Sequence, residues 1–301
     1  DEEMWAPNPV NSLNLGTGLS KYANLSYSHS VDLLPRKLSL VAGLGYNTVT
    51  AKDFAAPTTG GAHQETRPDE MTTRRLGLVY RPHERVSLFA NNQTTFQPQN
   101  AQDFFGHQLK PTVGEVTDLG VKLSLPNEKI VGMVTFFRLQ VTGLSVVDFA
   151  HPGFRVSSGQ QVNDGIEVEF QLRPIRSLQI VATFYKGDIR DYYTGQQLDN
   201  SVNETASLVV RYDFKSGPLP GLRVGASLFH QGPRRQTGVV GWPSYTICNA
   251  FISYRFSERL GVQLNVENLE DKFYSPGGLD MTRRAAYGAP LNAKLTTTLR
   301  F

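Results

Sequence analysis

The chain has 301 residues, with 30 Lys and Arg against 27 Asp and Glu, and its formal net charge is +3. Charges of both signs are spread along the chain and no basic run exceeds two residues, so nucleic acid is not an expected partner. A single cysteine, Cys248, excludes an internal disulfide framework.

Hydropathy also limits the kinds of membrane segment that the chain can form. No stretch approaches the roughly 20 consecutive apolar residues of a transmembrane helix. The mean hydropathy of −0.30 still allows a membrane β-barrel, because a barrel exposes only every second residue to lipid. The first residues, Asp1 to Trp5, lack the pattern of a signal peptide, so we expect the chain to begin partway through a longer protein.

Alternation of apolar and polar residues recurs along the chain, whereas helical periodicity is absent beyond a turn or two. The alternation predicts thirteen strands of mostly ten to thirteen residues, long enough for a tilted membrane crossing. They are 20–29, 37–48, 72–81, 85–96, 115–125, 129–142, 160–172, 177–187, 203–214, 221–231, 245–256, 260–269 and 291–301.

The connections between these strands alternate between short and long. Short turns fall at 32–37, 81–85, 126–129, 173–176, 215–220 and 257–259. Long polar connections fall at about 49–71, 97–114, 143–159, 188–202, 232–244 and 270–290. This layout is typical of outer-membrane barrels, with short periplasmic turns and long extracellular loops.

The two faces of each strand differ in polarity. In the last strand Leu291, Leu295 and Leu299 share one face, and Lys294 and Arg300 share the other. The predicted polar faces carry Lys122, Glu167, Glu169, Arg223, Glu267, Lys294 and Arg300. A Lys or Arg in the middle of the lipid face would cost about 2–4 kcal/mol, so we expect these charges to face a hydrated interior.

Aromatic residues next to the short turns predict a girdle at one membrane–water boundary. They are Tyr27, Tyr80, Tyr212, Phe214, Tyr254, Phe256 and Phe301. The sequence therefore predicts an all-β fold, an antiparallel transmembrane β-barrel.

Several segments resemble motifs of TonB-dependent outer-membrane receptors. Residues 265–274, N-V-E-N-L-E-D-K-F-Y, resemble that family's N-V-x-N-L-F-D-K-x-Y stretch, although Glu270 replaces the usual Phe. Residues 287–290 resemble its Y-G-x-P-R motif, with Leu291 where the family often has Arg, and residues 299–301 resemble its closing x-R-F. Residues 109–122, 165–169 and 254–256 resemble further family elements in family order.

The resemblance implies that residues 1–301 are the C-terminal portion of a barrel of 22 strands, without its signal peptide. The family's plug, and the segment that engages TonB, have no counterpart in these residues. An odd number of strands also suggests a fragment, because single-chain bacterial barrels have even numbers. We therefore expect the isolated chain not to form a competent barrel, since an open sheet leaves unpaired edges in lipid.

Signals for catalysis are weak, and we expect no enzyme activity, catalytic residue, cofactor or metal site. The six histidines are scattered, without the spacing of a metalloprotease or a nucleophile motif. Cys248 lies in mid-strand among small residues, where packing is the favoured role.

Candidate ligand contacts lie in the long connections and the strand ends beside them. They pair cations with aromatic rings, which suits a planar, anionic iron chelate. The candidates are Arg234, Arg235, Trp242, Tyr245, Arg283, Arg284, Tyr287, Phe104, Phe105, His107, Tyr192 and Tyr193. Surface Arg and Tyr that serve no ligand, or that bind lipopolysaccharide phosphates, are the alternative interpretation.

Two functions from different classes follow. The resemblance implies a receptor in the outer membrane of a Gram-negative bacterium, which takes up a ferric siderophore or similar chelate and is energised by TonB through the plug. Its other partners would be outer-membrane lipid and lipopolysaccharide. The alternative is a passive porin-like channel or a structural barrel.

Overall fold

The computed structural model describes residues 17–54, 64–65, 69–99, 101, 103–105, 107–126, 129–235, 241–277 and 286–300. Within these ranges the chain forms thirteen long strands and one strand of two residues. They are β1 (Thr17–Leu34), β2 (Leu38–Phe54), β3 (Gln64–Glu65), β4 (Asp69–His83), β5 (Val86–Gln97), β6 (Thr112–Ser124), β7 (Ile130–Val147), β8 (Arg155–Leu172), β9 (Leu178–Asp191), β10 (Glu204–Asp213), β11 (Leu222–Gln231), β12 (Tyr245–Arg255), β13 (Leu260–Glu267) and β14 (Asn292–Leu299). Among the described residues, no helix is long and apolar enough to cross a membrane.

The strands form one antiparallel sheet in which each long strand pairs with its neighbours in the chain. The order is β1-β2-β4-β5-β6-β7-β8-β9-β10-β11-β12-β13-β14, and β3 pairs with β2 beside this path. The thirteen predicted strands and the all-β, antiparallel barrel architecture are confirmed. The short strand β3 was not predicted, because two residues cannot display a period.

The connections alternate as predicted, with short turns at one end of the sheet and longer loops at the other. We call these the short-turn end and the long-loop end. The predicted long connection 143–159 is wrong, since β7 continues to Val147 and β8 begins at Arg155. Gly143, at φ +73°, accompanies a register shift between Thr142 and Leu144. This bulge interrupts the alternation that marks a strand in sequence, while the hydrogen-bonded ladder continues beyond it.

The register of the strands brings apolar side chains of neighbouring strands together on one face of the sheet. We call it the apolar face. Ile166 lies opposite Phe136, and Val168 lies opposite Val134 and Phe184. Large apolar side chains on this face are strongly exposed, for example Leu25 at 77% and Leu295 at 67%. So large an exposed apolar surface is unusual for a protein in water and marks contact with an apolar medium.

The opposite surface, here called the polar face, carries the charges that the sequence placed there. Lys122 lies opposite Met133, which in turn lies opposite Glu169. Arg223 lies opposite Asp213 and Ser253, and Lys294 lies opposite Asn265. Lys122, Glu169, Arg223 and Lys294 therefore lie on the polar face, as predicted.

Aromatic rings on the polar face cover glycines of neighbouring strands. Phe251 of β12 lies over Gly225 of β11, at a point where an added Cβ would also lie 2.9 Å from the carbonyl oxygen of Val210. Phe137 covers Gly165 in the same way and stacks on Tyr185, with ring centroids 5.9 Å apart. These glycines allow large rings to lie flat against the wall.

The apolar face becomes charged toward the long-loop end. Arg138 Nε lies 2.7 Å from Asp164 Oδ1, and Arg190 Nη2 lies 2.7 Å from Asp164 Oδ2. Arg74 and Glu115 form a further pair at 3.0 Å. We call these ion pairs the ionic belt. The apolar side chains of the same strands lie between the ionic belt and the short-turn end. The belt marks the edge of the apolar zone.

Most of the predicted aromatic girdle lies near the short-turn end. Tyr212 and Phe214 meet edge to face at 4.8 Å, and Tyr254 and Phe256 meet in the same way at 4.7 Å. The predicted position of Tyr27 next to a turn is wrong, because β1 extends to Leu34 and Tyr27 lies opposite Leu44. Phe301 lies outside the described residues.

Candidate ligand-binding site

Arg234, Trp242 and Tyr245 meet where β11 leads into β12. The backbones of Arg234 and Trp242 exchange two hydrogen bonds of 2.9 Å. The Gln231 side-chain oxygen accepts hydrogen bonds from Arg234 Nη2 and from the Tyr245 hydroxyl, both at 3.1 Å. Arg234 also donates to the carbonyl oxygen of Pro276. The Arg234 guanidinium therefore links the β11–β12 connection to the β13–β14 loop. The side chain of Arg235, in contrast, is exposed.

The β13–β14 loop is organised around Asn268, which is 2% exposed. The Asn268 amide donates to the carbonyl oxygens of Lys272, at 2.9 Å, and Ala289, at 3.0 Å. Its side-chain oxygen accepts from the backbone N–H of Lys272 at 2.9 Å. Asn268 has φ +52°, a left-handed conformation that Asn tolerates better than most residues. Asn268 thus joins the two halves of this loop.

The loop held by Asn268 presents aromatic rings to its surroundings. Tyr274 packs over Gly288 and lies 4.7 Å from the ring of Tyr245. Phe273 and Tyr287 lie 4.7 Å apart and are 78% and 57% exposed. Trp242 meets Tyr287 edge to face at 6.3 Å. We call residues 231–235, 241–245, 268–277 and 286–291 the mouth assembly.

A cleft of about 310 Å³ lies beside these rings, with Phe229, Tyr245 and Tyr274 in its wall. Asn249 and Glu267 add polar atoms to the cleft. Phe229, Tyr245, Asn249 and Glu267 belong to the polar face of β11, β12 and β13, so the cleft opens on the same side as the charged wall.

The β9–β10 loop is hydrogen-bonded to the mouth assembly. The backbone N–H of Asn200 donates to the Arg235 carbonyl at 2.9 Å, and the N–H of Gly232 donates to the Glu204 carbonyl at 2.8 Å. Tyr192 and Tyr193 of this loop are 55% and 70% exposed, and their rings meet edge to face at 5.5 Å.

Phe104, Phe105 and His107 form a separate group with residues of the β7–β8 loop. Phe104 stacks on His151, with ring centroids 3.9 Å apart, and meets Phe154 edge to face at 5.2 Å. Asp148 Oδ2 lies 2.9 Å from His151 Nδ1, and Asp103 Oδ2 lies 3.3 Å from His107 Nδ1. We call this group the Phe104 cluster.

The carboxylates of the Phe104 cluster have lowered pKa values. The hydrogen bond with the His151 side chain lowers the pKa of Asp148, and the backbone N–H of Ala150 adds to this effect. Partial burial raises the pKa of Asp103, but hydrogen bonds from the backbone N–H groups of His107 and Phe105 outweigh it, so the pKa falls below its usual value. Both carboxylates are therefore held in their charged form.

The structure brings together only some of the sequence candidates. Arg234, Arg235, Trp242, Tyr245 and Tyr287 belong to one assembly, the tyrosine pair 192–193 lies on an adjoining loop, and Phe104, Phe105 and His107 lie in another cluster. Arg283 and Arg284 lie outside the described residues. Whether any of these residues contacts a ligand stays a prediction.

Sequence reasoning missed several contributors to these groups. Phe229 and Gln231 end a strand and give no motif signal, and the partners of Phe104 in the next loop become visible only when the strands pair. For Asn268 and Tyr274 the sequence does contain a signal, because both lie in the stretch 265–274 that resembles a family motif. Among the described residues, no group of three or more His, Cys, Asp or Glu side chains could hold a metal ion.

Comparisons with known proteins agree with the architecture. A family model described as "TonB dependent receptor-like, beta-barrel" matches residues 6–269. The metal-pseudopaline receptor CntO of Pseudomonas aeruginosa is 26% identical over 237 residues, which are 76% of this chain and 33% of that protein. The ferrioxamine B receptor of Salmonella typhimurium is 28% identical over 213 residues, 66% of this chain and 30% of that protein. The chain thus spans about a third of the length of these relatives.

Solved structures share the fold at low sequence identity. The siderophore receptor PiuA from Acinetobacter baumannii aligns with a TM-score of 0.78 at 19% identity, covering 94% of this chain and 43% of that one. The ferric-catecholate import receptor Fiu from Escherichia coli K12 aligns with a TM-score of 0.76 at 17% identity, covering 94% of this chain and 45% of that one. The chain belongs to the TonB-dependent receptor β-barrel family, whose members lie in the outer membrane of Gram-negative bacteria.

Proposed function

We propose that this chain is part of an outer-membrane receptor that takes up an iron chelate, a ferric siderophore or a close analogue. The receptor acts by binding and gated passage rather than by bond chemistry. Relatives that share this barrel carry the names of receptors for ferrioxamine B, metal-pseudopaline and pyoverdine.

The mouth assembly is the observation that carries this proposal. It presents the exposed rings of Phe273 and Tyr287, and the exposed Arg235, next to a cleft in the polar face. Aromatic faces stack on planar ligands, and guanidinium supplies charge and directed donors to anionic oxygen. This combination suits a chelate that is both flat in parts and negatively charged.

The proposal extends to the rest of the receptor. Among the described residues, β1 pairs with β2 and β14 pairs with β13, so each outer strand has one open edge. Open edges are costly in lipid, so further strands of the full-length protein would complete the barrel, to 22 by resemblance to the family. Residues 1–301 are then its C-terminal portion, and TonB acts through a plug outside these residues.

The apolar face and the ionic belt support outer-membrane lipid as the surrounding partner. Exposed Leu and Phe side chains suit lipid chains, and the belt lies where the apolar zone ends. Arg74 and Arg138 keep 62% and 63% of their side chains exposed while paired, which leaves donors for phosphate groups of lipopolysaccharide.

Binding measurements on the full-length receptor test the proposal. A panel of ferric siderophores is titrated by isothermal calorimetry against the wild type and a variant with Arg235→Ala, Phe273→Ala and Tyr287→Ala. We expect the bound chelate to lose about tenfold or more in affinity, because stacking and charge-assisted contacts are removed together. Phe256→Ala is the matched control, since this ring is 61% exposed at the opposite end.

Two results would contradict the proposal. One is that the triple variant binds every chelate as well as the wild type does. The other is uptake by whole cells that rises without saturation and persists without TonB, which is the behaviour of a passive channel.

A further inference from the structure

We propose that Gln231 is a positioning residue of the mouth assembly. Its side chain holds Arg234 and Tyr245 in place, and through them it fixes the β9–β10, β11–β12 and β13–β14 loops relative to one another. The inference rests on the proposed function, because these loops carry the rings and the charge that would contact the chelate. It depends on contacts between residues of this chain and not on open space in the polar face.

Gln231 is the last residue of β11 and is 6% exposed. A buried amide needs hydrogen-bond partners, because an unpaired polar group away from water costs free energy. The Gln231 side-chain oxygen accepts two hydrogen bonds of 3.1 Å, one from Arg234 Nη2 and one from the Tyr245 hydroxyl. A single acceptor atom therefore sets the positions of two side chains.

Arg234 provides the first connection from Gln231 to another loop. The same Arg234 nitrogen that donates to Gln231 also donates to the carbonyl oxygen of Pro276, in the β13–β14 loop. A free arginine side chain has many rotamers, and each fixed partner removes part of that freedom. The Gln231 oxygen therefore favours the arrangement in which the guanidinium reaches Pro276.

Tyr245 provides the second connection. It lies directly opposite Gln231 in the β11–β12 ladder and is 7% exposed. Its ring lies 4.7 Å from the ring of Tyr274, which packs over Gly288. The hydrogen bond to Gln231 fixes the hydroxyl end of the Tyr245 ring, so the surface on which Tyr274 packs is fixed as well.

The β9–β10 loop is attached to both of the segments that Arg234 joins. Val202 and Arg234 form an isolated antiparallel bridge, and Arg234 forms a second bridge with Trp242. The side-chain nitrogen of Asn200 donates to the carbonyl oxygen of Gly277 at 3.4 Å, next to Pro276. A change in the position of Arg234 would therefore be felt in all three loops.

The three loops present exposed side chains that would share one ligand. These side chains are Tyr192, Tyr193, Arg235, Phe273 and Tyr287. Binding groups that are already held in place lose less conformational entropy when the ligand arrives. We therefore expect Gln231 to raise the affinity for the chelate through Arg234 and Tyr245, while its own burial keeps it from touching the ligand.

The first test measures chelate affinity of the full-length receptor by calorimetry, with the panel of ferric siderophores. Q231L removes the acceptor at similar volume, and we expect the bound chelate to lose about tenfold in affinity. Q231E keeps an acceptor for both partners and should bind within about threefold of the wild type. The matched control Q171L removes a glutamine beside Arg173 at the short-turn end, and its affinity should stay within about twofold of the wild type.

The second test measures the loop positions without any ligand. Spin labels are attached at the exposed positions of Q196C, in the β9–β10 loop, and E270C, in the β13–β14 loop, with Cys248 replaced by Ser. Pulsed electron paramagnetic resonance then gives the distribution of distances between the labels. We expect a narrow distribution for the otherwise wild-type protein and for Q231E, and a broader one for Q231L.

The background R234M/Y245F shows whether Gln231 acts through its two partners. If it does, adding Q231L to this background leaves the label distances unchanged, because the contacts that Gln231 makes are already lost. A further broadening on adding Q231L would overturn the proposal. It would also be overturned if Q231L had the label distances and the chelate affinity of the wild type.

The two tests keep this proposal distinct from the proposed function. If no ferric siderophore binds the wild type, the proposed function fails, and the label distances alone decide whether Gln231 positions the loops. If a chelate binds and its affinity depends on Arg235, Phe273 and Tyr287, while Q231L changes neither affinity nor label distances, the proposed function stands and the positioning role is removed.

Discussion

The mouth assembly and the Phe104 cluster both lie at the long-loop end, but different forces hold them. In the mouth assembly, the side chain of Asn268 is buried and bonded on both its oxygen and its nitrogen to backbone groups. In the Phe104 cluster, exposed rings stack on one another and two His–Asp pairs join neighbouring positions. From this difference we expect the stability of the mouth assembly to be independent of pH and that of the Phe104 cluster to depend on pH.

The largest expected effect comes from removing the Asn268 side chain. Asn268→Ala loses three hydrogen bonds, each contributing about 1 kcal/mol, and places Ala in a left-handed conformation. We expect the free energy of local opening of the β13–β14 loop to fall by about 3 kcal/mol. Hydrogen exchange of residues 268–277 and 286–291 measures it.

Lys272→Ala is the matched control for this prediction. The bonds between residues 268 and 272 use the Lys272 backbone, so truncating its exposed side chain leaves them in place. If Asn268→Ala and Lys272→Ala had equal protection, the buried hydrogen bonds would not be what holds the mouth assembly together.

A smaller effect is expected where Tyr274 packs over Gly288. A Cβ at residue 288 would occupy the position of the Tyr274 ring, so Gly288→Ala forces that ring away from Tyr245. Overpacking of this kind typically costs about 1–3 kcal/mol. Urea titration of the full-length receptor, with Gly261→Ala as the open-space control, measures the difference. Equal unfolding midpoints for the two variants would show that the Tyr274 ring can adopt another position without loss of stability.

The smallest effect concerns pH and distinguishes the two regions directly. Because the pKa of Asp148 is lowered in the folded protein, its contribution to stability is present above the ordinary carboxyl pKa and is lost as pH falls through the lowered value. We expect hydrogen-exchange protection of residues 103–107 and 148–154 to decline over that acidic range. Protection around Asn268 should stay constant, since its bonds join uncharged groups.

Asp148→Asn tests the cause of this pH response. The amide cannot ionise, so the variant should lose most of the acid-dependent change in the 148–154 loop. A decline of equal size in the wild type and in this variant would assign the response to other groups.

The strands of the sheet are predicted well from the sequence, because apolar and polar residues alternate along most of them. Alternation along each strand, as in Leu260 to Glu267, identifies both the strand and its lipid-facing side. The bulge at Gly143 interrupts the alternation, so the sequence predicts a loop where β7 and β8 continue. The hydrogen-bonded ladder continues beyond the bulge as far as the pair Val147 and Arg155.

The candidate site was predicted less completely, for a related reason. Arg and aromatic residues in loops mark a surface but not its neighbours, and Phe104 finds His151 only because β6 and β7 lie side by side. Arg234 was expected to contact ligand, yet its guanidinium donates to Gln231 and Pro276.

A cysteine-accessibility scan along β13 tests the central claim most directly, in the full-length receptor in lipid bilayers with Cys248 replaced by Ser. Single cysteines at positions 262 to 267 are treated with a charged, membrane-impermeant thiol reagent. The account predicts labelling at positions 263, 265 and 267 and protection at 262, 264 and 266, because the apolar face meets lipid and the polar face meets water. Equal labelling at all six positions would contradict a membrane-spanning wall, as would protection of the polar set with labelling of the apolar set.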